Sequence, residues 1–413
     1  MAESPANLFD LLKEVWTQDR LEKQFYSETR FLDRIEKTAK YTIGRRAQVP
    51  IESSLPGGYT VHTAAGGSLN PADHLHVDRA DYELTYHWQQ VEIEAGALNQ
   101  ADSVGAHSTV DAADQTITSN VLALRREINR QSVMDGSARI ANCDSTSNST
   151  TVNLDPAGYG YDAIVRGWLR PGVDIDIGSA ADADSVAASR TITGVKEDPN
   201  DPEITISGAG VTTAQTDFVS IAGARSRTDG SSLEMMGLRG IVGSDTTTVG
   251  GINPATNSFW KPALVDSTTT TVSLNLLLDL QRAVYQKTGK WPDYVTTSPK
   301  QAADLYALYQ TQVRFAGDNP SAGNVDGFKW NGMEVHADPD IPDRELYLLT
   351  LSDFLVVTGG KFGKPTWASD IEGAGGRLRW KQGYTSFVDA VVYPCQLAVK
   401  RRNSSAAAVG LTG

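Results

Sequence analysis

Residues 111–136 carry the strongest constraint in this chain. Ile117, Val121, Leu124 and Ile128 recur at i, i+4, i+7 and i+11, the spacing of one helical face. Asp111 opens the segment and Asp135-Gly136 closes it. The other face carries Arg125, Arg126, Glu127 and Arg130. A helix of about 24 residues spans roughly 36 Å. So long an element with so narrow an apolar stripe must lie across something wider than itself, and extended segments bracket it on both sides.

Upstream, Ser4 and Pro5 signal a helix from about Asn7, with Leu8, Leu11, Leu12 and Val15 on one face. The charged run that follows has only Leu32 and Ile35 as sparse apolar positions, which predicts a segment lying along a surface or a neighbouring subunit rather than in a core. From Arg45 to about His107 short extended pieces alternate with the turns Leu55-Pro56-Gly57-Gly58, Gly66-Gly67 and Asn70-Pro71. The run Tyr82 to Ile93 alternates as a strand with Tyr82, Leu84, Tyr86 and Trp88 on one side, and predicts a hairpin. Two strands are marginal in water, so that hairpin must rest on its own domain or on another chain.

Downstream, residues 142–226 turn to Asp, Ala, Ser, Thr, Gly and Val. The strand candidates TVNL, DIDI, RTITGV, EITISG and DFVSIAG predict a small sandwich or barrel. Ser273 caps a helix running to Thr288-Gly289, with Leu277, Leu280, Val284 and Tyr285 inward. The strand around Tyr294-Val295-Thr296-Thr297 leads to a second helix, where Ser298 and Gln301 form a capping box with Pro299 at the first helical position; its end is aromatic-rich, with Tyr306, Tyr309 and Phe315. Strands are expected around Met333-His336, Glu345-Leu349 and SFVDAVVYPCQLAVKR, and the tail from Asn403, small and polar to neutral, is expected to fray.

At 413 residues the chain exceeds what one core supports, so two or three subdomains are expected. A net charge of −13 argues against gripping nucleic acid, which needs a basic footprint. No run is long enough for a membrane span, and acidic residues stand where a signal peptide has its basic region, so synthesis in the cytosol without membrane insertion is expected. The two cysteines, Cys143 and Cys395, make no disulfide framework or metal pair and read as small buried hydrophobes.

A catalytic constellation is not found. Five of the six histidines fall between His62 and His107. His74 and His76, with Asp73 and Asp78, read as polar positions of a surface strand rather than metal ligands. Asp174, Asp176, Asp182 and Asp184 lack the spacing of a calcium loop; the alternation of Asp and Ile reads as the wet and dry faces of one strand. No zinc-protease, nucleophile-elbow or phosphate-loop motif occurs, so no catalytic residue, metal or cofactor is expected.

Taken in order, a charged amphipathic helix, an extended arm, one long helix, a β-rich insert, two capped helices around "TTSP" and closing strands, the chain resembles the major capsid proteins of tailed bacteriophages with the Hong Kong 97 fold. The resemblance implies an α+β fold with an N-terminal arm (residues 1–44), an extended β-hairpin loop (45–108) and the spine helix of a peripheral domain (109–141). It further implies a β-rich insertion domain (142–226), a return to the peripheral domain (227–270), an axial domain with connecting strands (271–380) and a closing strand and tail (381–413). It implies assembly with itself as hexamers and pentamers into an icosahedral shell around double-stranded DNA, bound without sequence specificity. A separate scaffolding protein and portal and a possible decoration protein are the further partners implied, with a place in the virion capsid and in the host cytoplasm during assembly. The scaffold is expected to be separate because no long charged coiled-coil prefix precedes the loop. Intersubunit contacts are expected at Leu8, Leu11, Leu12 and Val15, at Tyr82, Tyr86 and Trp88, and at Arg125, Arg126 and Arg130.

Some relatives weld subunits by an isopeptide bond from a lysine in the loop. Lysine is absent here from Tyr41 to Val195, with four before the gap and ten after it, so a shell held by non-covalent contacts alone is expected. The alternatives are an encapsulin-like nanocompartment shell, which shares the fold, a β-rich binding protein, and a hydrolase with a concealed site.

Overall fold

The computed structural model describes residues 30–61, 68–94, 106–179, 182, 184–226, 231–266, 269–310, 329–359, 366–368 and 379–412. The chain leads in through α1 (Arg30–Arg34), β1 (Glu36–Thr38) and β2 (Thr42–Ile43). Phe31, Leu32 and Ile35 are buried in the main core, with Phe31 edge-on to Phe354 at 6.4 Å. The expectation that Leu32 and Ile35 lie outside any core is thereby corrected: three apolar side chains on one short turn suffice to seat it, whatever the charge around them.

β3 (Arg46–Ser54) and β4 (His76–Glu83) pair antiparallel from Arg46↔Glu83 to Ser54↔His76. β5 (Thr85–Glu94) does not continue that hairpin. The run read as one strand breaks at Leu84, and the break flips the inward phase: Ala80, Tyr82 and Leu84 are buried before it, His87, Val91 and Ile93 after it. Tyr86 and Trp88 therefore face outward, on the opposite side from Tyr82.

The long helix α2 runs Ala106–Val133, starting five residues before Asp111. It packs on β5, where Gln89 Nε2 donates to Asn120 Oδ1 at 3.0 Å, and buries Leu124 and Ile128.

The insert follows: β6 (Ala141–Asn142), β7 (Thr146–Ser149), β8 (Thr151–Asn153), α3 (Gly160–Val165), β9 (Asp174–Gly178), β10 (Ala187–Lys196), β11 (Glu203–Ile206), β12 (Val211–Thr213) and β13 (Phe218–Ile221). Six strands order as β6-β13-β9-β10-β11-β8, and β12 pairs β7. Asp176 is fully buried, which corrects its reading as a wet-face residue: its carboxylate accepts the Ser189 amide at 2.7 Å and the Gly223 amide at 2.9 Å. Ser189 has φ 46°, at the bulge where β10 slips against β9, so a buried carboxylate holds a left-handed residue in place.

The remainder runs α4 (Leu238–Ile241), β14 (Ala263–Asp266), α5 (Leu274–Thr288), β15 (Tyr294–Thr297), α6 (Pro299–Gln310), β16 (Lys329–Trp330), β17 (Met333–Ala337), β18 (Leu346–Leu349), β19 (Phe354–Thr358), β20 (Thr366–Trp367), β21 (Arg379–Trp380), β22 (Ser386–Val399) and β23 (Ala406–Val409). Ser273 accepts the Leu276 amide at 3.1 Å, and Gly289 closes α5 at φ 69°. Ser298 Oγ accepts the Gln301 amide at 3.2 Å; the Gln301 side chain turns instead to the Asp343 carbonyl at 2.8 Å, so only half of the expected capping box forms. Tyr285 is not inward: it stacks on Trp291 at 4.2 Å with both rings exposed. Tyr306 packs partly buried on the second core, while the Tyr309 side chain and Phe315 lie outside what is described.

Two sheets organise this half. β22 is the hub of one, flanked by β19, by β20 and β21, and by β5 along ten positions from Ser386↔Glu94 to Cys395↔Thr85. The other orders as β14-β23-β18-β15-β17-β16 and carries α5 on its own apolar cluster. The expected frayed tail is corrected here. β23 is a central strand between β14 and β18, with Ala406, Ala407 and Ala408 wholly buried. The side chains of the insert belong to one cluster with those of β3, β4, α2 and β22, so the insert shares its core with the rest of the chain.

Candidate assembly surfaces

The residues expected to meet other subunits separate into three groups. Leu8, Leu11, Leu12 and Val15 lie outside the described residues. Tyr82 and Arg130 are inside the subunit. Tyr86, Trp88, Arg125 and Arg126 reach its surface or rim.

Tyr82 is 5% exposed, and its hydroxyl donates to the Val399 carbonyl at 2.9 Å while accepting the Val399 amide at 3.2 Å. It fastens the base of the β3–β4 hairpin to the closing strand. Arg130 is 1% exposed and ion-pairs with Glu127 on its own helix and with buried Glu234. Burial works against its charge, but the two carboxylates outweigh burial and raise the guanidinium pKa. Both expectations are corrected: the two side chains are buried, the Tyr82 hydroxyl bonded to Val399 and the Arg130 guanidinium held by Glu127 and Glu234. His87, packed beside this group, is held neutral by burial, its pKa pulled down to about 4.

Trp88 and Tyr86 are 58% and 43% exposed on β5, and Trp88 borders a shallow depression with Arg379 and Asp389. Arg125 pairs with Asp33 of α1, and Arg126 donates to the Arg166 carbonyl at 3.2 Å.

A further group of exposed apolar residues was not singled out from the sequence. Leu55, Tyr59 and Leu69, each at least 80% exposed, stand with Leu75 and Val77 at the far end of the β3–β4 hairpin. Apolar residues set among Pro-Gly turns, with no period-2 run to bury them, were the available signal. The tip is braced: Asp73 accepts the Gly57 amide at 2.9 Å and the His74 amide at 2.8 Å, and faces His76 Nε2 at 3.1 Å. The Gly57 bond first, then His76, hold its carboxyl down to about 2.

A second polar junction ties the insert to the loop before β18. Arg166 donates to the carbonyls of Pro339 at 2.7 Å and Ile341 at 2.8 Å, and pairs with Asp162 and Asp343. Trp168 Nε1 donates to Asp340 at 2.9 Å. Buried Glu345 gathers the hydroxyls of Tyr159 at 3.0 Å and Tyr347 at 2.6 Å and ion-pairs with Arg239 at 3.2 Å. These are structural contacts that set the insert against its neighbours; nothing in them resembles a nucleophile with its base.

Comparison with solved structures completes the picture. The chain is similar to a chain of the Cyanophage A-1(L) capsid asymmetric unit, at 13% identity and TM-score 0.60 over 96% of both chains. Weaker likenesses are to the capsid of a native GTA particle (9% identity, TM-score 0.49, 97% of both chains) and to the SrpI encapsulin from Synechococcus elongatus PCC 7942 (9% identity, TM-score 0.47, 100% of this chain and 96% of that one). No protein-family model matches the chain, and no curated protein does. The fold is the α+β capsid-subunit fold of the Hong Kong 97 type.

Proposed function

We propose that this chain is the major capsid protein of a tailed bacteriophage, copies of which assemble as hexamers and pentamers into an icosahedral shell around double-stranded DNA. The observation that carries the reading is the alignment with a phage capsid chain along 96% of both chains. The mechanism is physical. The described residues leave the apolar tip of a braced β ribbon exposed, and a repeated heterologous contact with the next copy covers it. The role is structural, not catalytic. A separate scaffolding protein and a portal serve assembly, a decoration protein is a possible outer partner, and the DNA is enclosed rather than read, in keeping with the net charge of −13. Assembly takes place in the host cytoplasm, and the product is the virion capsid.

Electron microscopy of the purified chain, alone and with a candidate scaffold, tests this. Closed shells or hexamer and pentamer rings are expected. Shells that co-purify with a cargo enzyme and close without a scaffold would shift the reading to a nanocompartment. Persistent monomers under both conditions would overturn it.

A further inference from the structure

Asp338 and Asp340 lie two residues apart on the loop before β18, and both are closed off from solvent, at 1% and 0% exposure. Their oxygens are unequally served. Asp340 accepts the Trp168 indole N–H at 2.9 Å and the side-chain amide of Asn129 on α2. Asp338 Oδ1 accepts the Asp340 backbone amide at 3.0 Å and the same Asn129 amide at 3.5 Å. The Phe31 amide of α1 faces the Asp338 carboxyl, but Asp338 Oδ2 is buried with no hydrogen-bond partner among the described residues. A buried oxygen so placed, beside a second carboxylate, holds a proton more readily than a charge.

The charged groups on the surrounding elements are engaged with one another. Arg34 of α1 pairs with Glu334, and Asp33 with Arg125 of α2. Further along α2, Arg126 donates to the Arg166 carbonyl, and Arg130 pairs with Glu127 and Glu234. Arg166, just past α3, pairs with Asp162 and Asp343. His336, two residues before Asp338 on β17, lies 3.5 Å from Glu334. Burial, then repulsion from Asp340, raises the Asp338 carboxyl to about 6.

Three elements close over the pair, and they are unequally anchored. α2 runs for 28 residues, and the segment of Trp168 is fastened by Arg166 to the carbonyls of Pro339 and Ile341. α1 has five residues, and its two ion pairs are half exposed, where such pairs contribute little. Local opening therefore begins at α1.

We propose that the Asp338–Asp340 pair is a proton-dependent clasp on α1: with Asp338 protonated α1 is seated over the pair, and with both carboxyls ionised α1 lifts and admits water to them. Residues 1–29 join the described body at α1, so the clasp sets how firmly that junction holds. The inference goes beyond the capsid reading and stands without it, since it concerns one chain. Opening returns the Asp338 carboxyl to water and to its ordinary value of about 3.9. The closed form is thus favoured while the proton is bound and loses ground as pH rises through 6, so that opening grows about tenfold between pH 5 and pH 7.5.

Hydrogen–deuterium exchange of the unassembled, full-length chain at these two pH values, corrected for the intrinsic pH dependence of amide exchange, tests the clasp. Protection of residues 30–38 is expected to fall about tenfold at the higher pH while β23 keeps its protection, and Asp338→Asn is expected to hold residues 30–38 at their pH 5 protection throughout. Equal protection of residues 30–38 in the natural chain at both pH values overturns the proposal. So does an equal loss at β23, which would mean global opening, or a pH response that survives Asp338→Asn. Asp340→Asn removes the repulsion and is expected to weaken the response; a full response in that variant would refute the pairing.

Discussion

Asp338 stands where three elements meet. Its carboxyl is buried among Asn129 of α2, the Phe31 amide of α1 and Asp340 on its own loop. Burial, then repulsion from Asp340, raises its pKa to about 6. An acid with a raised pKa favours the folded state while it is protonated, so its contribution is present below the unfolded value of about 3.9 and is lost as pH rises through 6. Asp338→Asn should therefore gain stability relative to the natural chain between pH 4 and pH 7, by about 2–3 kcal/mol. Denaturant titrations of the unassembled subunit at the two pH values measure it, and a difference independent of pH would refute the assignment. His87 acts in the opposite sense, since a buried neutral imidazole loses stability as pH falls from about 6.5 toward 4. Residue identity alone could not show either effect. The sequence presents Asp338-Pro339-Asp340 as a polar turn, and only the packing of α1 and α2 over it makes one carboxyl costly to ionise.

Among the elements, β23 and β5 separate local from tertiary information. The caps of α5 were legible because Ser273 and Gly289 act within one turn of the backbone they serve. β23 was not legible: alanine is a poor strand former, and Ala406–Ala408 are a strand only because β14 and β18 approach from both sides. Removing residues 403–413 should leave the chain insoluble or unfolded by circular dichroism, and Ala407→Leu should cost about 1–3 kcal/mol by overpacking. A truncated chain that melts like the natural one would refute the central placement. For β5, the break at Leu84 turns Tyr86 and Trp88 outward. Tyr86→Ala/Trp88→Ala should change subunit stability by no more than about 0.5 kcal/mol while reducing the yield of assembled particles several-fold in sedimentation. Full assembly by the double variant would remove β5 from the contact surface.

For the whole molecule, the proposed assembly raises the question of what would hold one copy to the next. The loop hairpin offers apolar side chains and no lysine amine, because the lysine-free stretch spans all of β3, β4, β5 and α2. Assembled particles boiled in detergent should run as a single band near 44.4 kDa. A ladder of multiples would overturn non-covalent assembly. The insert adds stability of another kind: its apolar residues join the main core, and Arg166, Trp168 and Tyr159 grip the segment from Pro339 to Glu345. It therefore braces the junction of the two large sheets rather than hanging from it.

What the amino-acid order determined by itself was the succession of elements: the long amphipathic helix, the strands of the insert and the capped helices, each written in a periodicity or a cap that acts over a few residues. What only the tertiary structure decided was the inside and the outside. Whether Tyr82 fastens a hairpin, Arg130 closes a buried triad, Asp176 supports a bulge or three alanines fill a sheet depends on partners beyond the reach of one turn or cap, 13 residues away for Asp176 and Ser189 and 317 for Tyr82 and Val399. Burial is a property of the assembled surface, and no local pattern carries it.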